Sequence, residues 1–289
     1  MTFNDDADIR GGRVSKRGRN TAIGVGGGGL GLLAIVIIGQ LLGVDLTGIT
    51  GTGTGSSSSD QGTALTQCTT GSQANTDIDC RMQAAATSLD AYWTTTVKGY
   101  TQPQMVIFDN GTSTGCGSAT TAVGPFYCPT DQTVYIDTAF YAELRSQFGA
   151  SGGPLAQLYV VAHEWGHHIQ NITGIMNGLN LQATGPASDS VRLELQADCF
   201  AGAWVGAAQT TKDVNGVPFL EPVTAAEIKD ALNAAASVGD DHIQQSTQGQ
   251  VNPESFTHGT SAQRERWFNV GLTQGAQACD TFGATASTL

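Results

Sequence analysis

A chain of 289 residues is long enough for one domain with a sizeable core plus appendages. Its formal net charge is −12, and the residues after position 44 carry 22 acidic against 8 basic side chains. That balance excludes nucleic-acid binding, because neutralising phosphates needs a basic surface.

Five of the 13 basic residues, Arg10, Arg13, Lys16, Arg17 and Arg19, come before residue 20. Residues 20–44 then carry no charge, and Leu30–Leu42 is strongly apolar. An apolar run of about 20 residues is long enough to cross a bilayer. Basic residues ahead of it predict a cytoplasmic N-terminus over 1–19, a transmembrane signal-anchor over 20–44 and an exported remainder. No A-x-A site follows the run, so a retained membrane helix is expected rather than a cleaved signal peptide. Residues 45–67 are rich in Gly, Ser and Thr and read as a flexible linker. The folded domain is expected over 68–289.

All six cysteines, Cys68, Cys80, Cys116, Cys128, Cys199 and Cys279, follow the apolar run. An even count in an exported domain suggests disulfides, with fifteen pairings possible. Cys68–Cys80 and Cys116–Cys128 would close short local loops and leave Cys199–Cys279 as a long-range staple. Cysteine ligation of a metal is disfavoured, since no C-x-x-C occurs.

The first domain element is a predicted helix from Ser72 to about Lys98. Strands are expected at Gln104–Phe108 and Thr133–Asp137, with a cysteine-bounded loop between them, and a short helix over Thr138–Phe148. Pro154 then opens a helix whose apolar positions, Leu155, Leu158, Ala162, Trp165 and Ile169, recur at three- and four-residue steps. A further helix is expected over about Ser188–Ala208. Capping boxes at Thr224–Glu227 and Thr260–Gln263 open two more, to about Val238 and Leu272. Helices with a few strands around one core give the α+β class.

The chemistry sits on two of these helices. His163-Glu164-Trp165-Gly166-His167 reads H-E-x-x-H, and Glu194-Leu195-Gln196-Ala197-Asp198 reads E-x-x-x-D. Residues i and i+4 of a helix lie about 40° apart and roughly 6 Å along the axis. Two imidazoles so placed converge on one tetrahedral ion at about 2.0–2.1 Å. Glu194 completes a His2Glu set for a single Zn2+, and Asp198 can hold the outer N–H of one ligand histidine. Glu164 reaches the attacking water without being a ligand. His168 lies about 100° round the helix from His167, and is expected to pack or face solvent.

These motifs resemble the bacterial neutral zinc metallopeptidase family, which is gluzincin-like. The matching stretches are Gly124–Pro129, Thr133–Asp137, Ala162–Gln170, Glu194–Gly202 and Ser255–Arg264. The resemblance implies a compact, mainly helical zincin-type domain with a small sheet, acting on a peptide or protein substrate. In such a domain an edge strand near the zinc helix pairs with extended substrate, and Thr133–Asp137 is the candidate. Glu164 is then the general base. His258, in the last matching stretch, is the candidate donor to the oxyanion, against a purely structural histidine. Arg264 orients a carboxylate, binds substrate or makes a surface salt bridge. His242, beside two aspartates, is expected to be solvated. The reading is a membrane-anchored, extracytoplasmic zinc peptidase. A non-catalytic peptide-binding protein and a zinc hydrolase of a cell-wall amide are the alternatives. An intact Glu164 speaks against the first, because a binder has no need of a base.

Overall fold

The computed structural model describes residues 3–18, 62–146 and 152–289. The apolar run 20–44 and most of the expected linker lie outside the described residues. Among the described residues no helix is long and apolar enough to cross a membrane.

Strands and helices share one core, as an α+β fold requires. The strands are β1 (Val14–Lys16), β2 (Thr63–Ala64), β3 (Gln104–Phe108), β6 (Phe126–Cys128) and β7 (Thr133–Asp137), in the order β2-β1-β3-β7-β6. β1, β3 and β7 run parallel, and β2 and β6 pair antiparallel at the two edges. Between β3 and β6, β4 (Gly111–Thr114) and β5 (Gly117–Thr120) form a separate hairpin, with Gly111 opposite Thr120. The expected loop between the two strands therefore contains three strands. β7 is not an edge. It lies between β3 and β6, and β6 is the edge on that side among the described residues.

The N-terminal expectation also needs correction. Residues 3–18 do not stand apart from the domain. Phe3, Ala7, Ile9 and Val14 are buried in the main core. Met105 donates to the Arg13 carbonyl at 2.9 Å, and Arg17 to that of Ile107 at 2.8 Å, so β1 is stitched to β3. On its other side Lys16 pairs with Thr63. A single membrane crossing between residues 18 and 62 would put β1 and its partners on opposite sides of about 30 Å of hydrocarbon. Adjacent strands lie about 4.8 Å apart. The cytoplasmic placement of residues 1–19, apart from an exported domain, cannot coexist with this sheet.

The helices are α1 (Gly71–Thr76), α2 (Ile78–Thr96), α3 (Phe140–Ser146), α4 (Pro154–Ile172), α5 (Asp189–Ala207), α6 (Ala225–Ser237), α7 (Asp240–Gln248) and α8 (Ser261–Gln274). The predicted helix at Ser72–Lys98 is broken at Asp77. That residue is extended, and its carboxylate caps α2 by accepting from the Cys80 N–H at 3.0 Å. Both capping boxes form, at Thr224 and Thr260. Disulfides join Cys68–Cys80, Cys116–Cys128 and Cys199–Cys279.

α4 runs through the middle, against α2, α5 and α6, and β6 lies on it. It meets α2 through a polar chain. Trp165 Nε1 donates to the Tyr100 hydroxyl at 2.8 Å, and that hydroxyl donates to Asp90 at 2.5 Å. Burial pushes the Asp90 carboxyl up to about 7.

The packing of the N-terminal segment can be tested by deletion. Removing residues 1–18 strips four core side chains and one strand, so the melting temperature should fall by many degrees. An unchanged thermal unfolding curve would mean that β1 contributes nothing. Asp90 offers a test by pH. Its folded pKa lies above the unfolded value, so the folded state binds the extra proton. Stability is then fully present below about pH 4 and declines as pH rises towards 7, by at most about 1.4 kcal/mol for each pH unit crossed. Asp90→Asn keeps an acceptor for Tyr100 and removes the charge. It should raise the melting temperature at pH 8 while changing it little at pH 4, and equal changes at both would sink the assignment.

Candidate metal centre and active site

α4 is buried along almost its whole length, yet it carries Gln157, His163, Glu164, His167, His168 and Gln170. A buried polar group costs free energy unless it is hydrogen-bonded. The partners of these side chains therefore define the site.

His163 Nδ1 lies 2.8 Å from Asp198 Oδ1, and its Nε2 lies 3.1 Å from Glu194 Oε2. His167 Nε2 lies 3.4 Å from Glu194 Oε1. The three residues bring one ligand atom each within 4.8 Å of one another. Bonds of about 2.0–2.1 Å to a tetrahedral zinc put ligand atoms about 3.3 Å apart, so the set fits that ion. Two atoms mark the same point differently. His167 Nε2 and Glu164 Oε2 are buried with no hydrogen-bond partner. Six other buried polar atoms among the described residues lack a partner as well, but these two stand beside the His2Glu set, where something the side chains are shaped to receive would meet both.

Electrostatics agree. Burial disfavours a charged His163, but Asp198 and Glu194 overcome it and raise its pKa to about 10. Burial lowers His167 to about 4 and raises Glu164 to about 8. Glu194 is held well below the usual carboxylate range against burial by His167 and His163. Asp198 and Glu194 thus favour positive charge on His163.

Asp198 is fully buried and saturated. Arg264 donates to it through Nε at 2.8 Å and Nη2 at 3.0 Å, and the Tyr159 hydroxyl donates at 2.5 Å. Arg264 and His163 hold its carboxyl below its ordinary value despite burial. Arg264 is thus the clamp of a carboxylate, not a surface salt bridge.

The close helix spacing that delivers these groups depends on glycine. A Cβ at Gly166, inside H-E-x-x-H, would stand 2.9 Å from the Ala197 Cα, inside E-x-x-x-D. Glycine there lets α4 and α5 approach until Glu194 reaches both imidazoles. On the far side of α5, a Cβ at Gly202 would meet the Phe268 carbonyl oxygen at 2.0 Å, and one at Gly271 that of Cys199 at 1.8 Å. α8 is therefore pressed on α5 as closely, which brings Arg264 to Asp198.

The sequence profile of the family described as "Putative neutral zinc metallopeptidase" matches residues 4–282. The chain belongs to this family. It is 53% identical to the uncharacterized protein Rv2575 of Mycobacterium tuberculosis over 222 residues, 76% of each chain. It is 43% identical to the uncharacterized protein YpfJ of Escherichia coli K12 over 269 residues, 89% of this chain and 88% of that one. No solved structure matches it.

The structure brings His163, His167, Glu194 and Asp198 together and leaves Glu164 beside them. His168 points elsewhere. Its Nδ1 lies 3.0 Å from the Tyr127 hydroxyl and its Nε2 2.6 Å from the Thr101 carbonyl. His258 is buried, and its Nδ1 faces Thr257 Oγ1 at 2.9 Å and Asp240 Oδ1 at 3.3 Å. Burial opposes its charge, yet Asp240 and Glu194 raise its pKa above the ordinary value. His242 is exposed.

Asp240 had no sequence signal, lying 18 residues before the histidine it serves. Its Oδ2 accepts from the backbone N–H groups of Thr257, His258 and Gly259 at 2.8, 2.7 and 2.9 Å. Tyr127 was also hidden. Its hydroxyl accepts from Asn171 at 2.8 Å and lies 3.0 Å from His168 Nδ1, which fastens β6 to α4.

His163→Ala and Glu194→Ala should each lose bound zinc, measured by metal analysis after dialysis against a weak chelator. His168→Ala should keep it. Zinc loss from His168→Ala with retention in the other two would show that the wrong imidazoles have been chosen.

Proposed function

We propose that the protein is a zinc-dependent peptidase that uses Glu164 as general base. The observation that carries this reading is the pair of buried, unpartnered atoms, His167 Nε2 and Glu164 Oε2, beside a His2Glu set of fitting dimensions. His163, His167 and Glu194 would hold the ion. When bound, zinc acidifies a ligated water and polarises a carbonyl oxygen.

The remaining work belongs to side chains of this chain. Glu164 takes a proton from the attacking water and passes it to the leaving nitrogen. His258 donates to the oxyanion that develops on the substrate, with Asp240 favouring its charged form. Extended substrate lies along β6. β6 is an edge strand packed on the helix that carries Glu164, and a peptide can pair with it there.

Three disulfides support action in an oxidising compartment outside the cytoplasm. Membrane attachment is proposed through residues 20–44, with the flanking strands β1 and β2 both on the side of the zinc site.

Glu164→Gln is nearly isosteric but cannot take a proton. It should keep stoichiometric zinc while cleavage of a peptide library falls by about 10²–10⁴-fold, the usual worth of general base catalysis. Undiminished turnover would remove Glu164 from this role. Failure of the intact zinc-loaded protein to cut any peptide would sink the peptidase reading itself.

A further inference from the structure

His163 and His167 are held from behind by different chemistry. His163 has a carboxylate, Asp198. His167 has a neutral amide, with its Nδ1 2.8 Å from Gln170 Oε1. A side-chain amide can be turned over, exchanging its oxygen and nitrogen, and an imidazole proton can sit on either nitrogen. The pair alone therefore leaves two arrangements open. In one, His167 Nδ1–H donates to the amide oxygen. In the other, Nδ1 accepts from the amide nitrogen, and the proton sits on Nε2, the atom that would bind metal.

The surroundings of Gln170 remove that freedom. The side chain is fully buried. The other end of its amide faces two oxygens, the Leu193 carbonyl at 2.7 Å and Gln196 Oε1 at 3.1 Å. A backbone carbonyl accepts only, so the Gln170 nitrogen must point to Leu193. Gln196 is fixed by the same logic. Its Nε2 donates to the Cys279 carbonyl at 2.9 Å, which turns its oxygen towards Gln170. The Cys279 carbonyl is held in place by the bridge to Cys199 on α5. With both glutamines oriented, the oxygen of Gln170 faces His167, and Nδ1 must carry the proton. Nε2 is then a bare lone pair, which is the form a metal ligand needs.

The geometry points to Gln170 as the positioning residue of the second zinc histidine, its orientation set through Leu193 and Gln196 by two backbone carbonyls, so that His167 is locked as the Nδ1–H tautomer before metal arrives. The inference rests on the proposed zinc site but adds a claim that holds for zinc-free protein. It also divides labour between the ligands. A carboxylate behind His163 strengthens it as a donor, while a neutral amide behind His167 fixes its proton without adding charge.

The test uses the whole chain, with two readouts. In zinc-free protein at neutral pH, long-range proton–nitrogen correlation spectra of the imidazoles report the tautomer of His167. In parallel, competition with a chelator of known affinity reports the zinc dissociation constant. Wild-type protein should show Nδ1–H. Gln170→Leu, of similar size but without an acceptor, should move His167 to Nε2–H or a mixture and weaken zinc by about 10–100-fold, the usual effect of losing an outer partner. Gln196→Leu should do the same to a smaller degree, and serves if Gln170→Leu does not fold. A wild-type His167 in the Nε2–H form would overturn the inference, whatever the variants do. So would zinc weakening in Gln170→Leu with the tautomer unchanged, since a general packing defect would do that. Wild-type protein that shows Nδ1–H but holds no zinc would sink the proposed function and leave the tautomer assignment standing.

Discussion

The site depends on the distance between two helices. His163 and His167 lie on α4, Glu194 and Asp198 on α5, and no loop intervenes to adjust them. The gap is set where Gly166 meets Ala197, because any side chain at 166 would drive into the backbone of α5. Helices usually pack about 8–10 Å apart, according to the side chains between them. Glycine against alanine takes the short end of that range. Glutamate then has the reach to place one oxygen near each imidazole, and aspartate to take the outer nitrogen of His163. The two intervening residues of H-E-x-x-H are thus not spacers. Trp165 ties α4 to α2 through Tyr100, and Gly166 admits α5.

With the helices that close, the polar side chains between them are buried, and each needs a partner. Asp198 takes four contacts, from His163, Tyr159 and both arms of Arg264. Gln170 and Gln196 use their amide nitrogens on carbonyls. Asp240 takes three backbone N–H groups in the loop that carries His258. Against that saturation, His167 Nε2 and Glu164 Oε2 remain bare, and both sit where the proposed chemistry occurs. The contrast has a physical consequence. Side chains whose own hydrogen bonds are met, as those of Asp198, Gln170 and Asp240 are, hold their neighbours in place before an ion or a substrate enters.

Much of this was legible because it is local. The ligand spacing, the capping boxes at Thr224 and Thr260, and Pro154 at the start of α4 are patterns within a few residues. The α5 boundaries and the short cysteine loops fall in the same group. What was hidden is what depends on distance in sequence or on weak patterns. α7 is mostly polar and short, so it shows little apolar periodicity, although Ile243 and Gln244 are buried. β6 is three residues inside a cysteine-bounded stretch, and missing it made β7 look like an edge. Residues 3–18 were read by charge, which sets expectations about membrane topology. The apolar residues Phe3, Ala7, Ile9 and Val14, which place the segment in the core, are too irregularly spaced to signal a strand. Glutamines carry no signature either. Only the three-residue step from His167 to Gln170, which puts them on one helix face, could have pointed to their pairing.

The edge strand and the zinc helix are coupled more tightly than either motif suggests. Tyr127 belongs to β6, yet its hydroxyl is fastened to His168 and Asn171 on α4. His168, the histidine that does not face the metal, is fastened in turn to the Thr101 carbonyl just ahead of β3. One imidazole therefore holds the edge strand β6 and the entry to the central strand β3 against the helix that carries Glu164. The position of a peptide laid on β6 and the position of Glu164 are then not independent variables. The histidines of α4 thus have separate duties. His163 and His167 belong to the group that could hold a metal, while His168 fixes β6 on the helix.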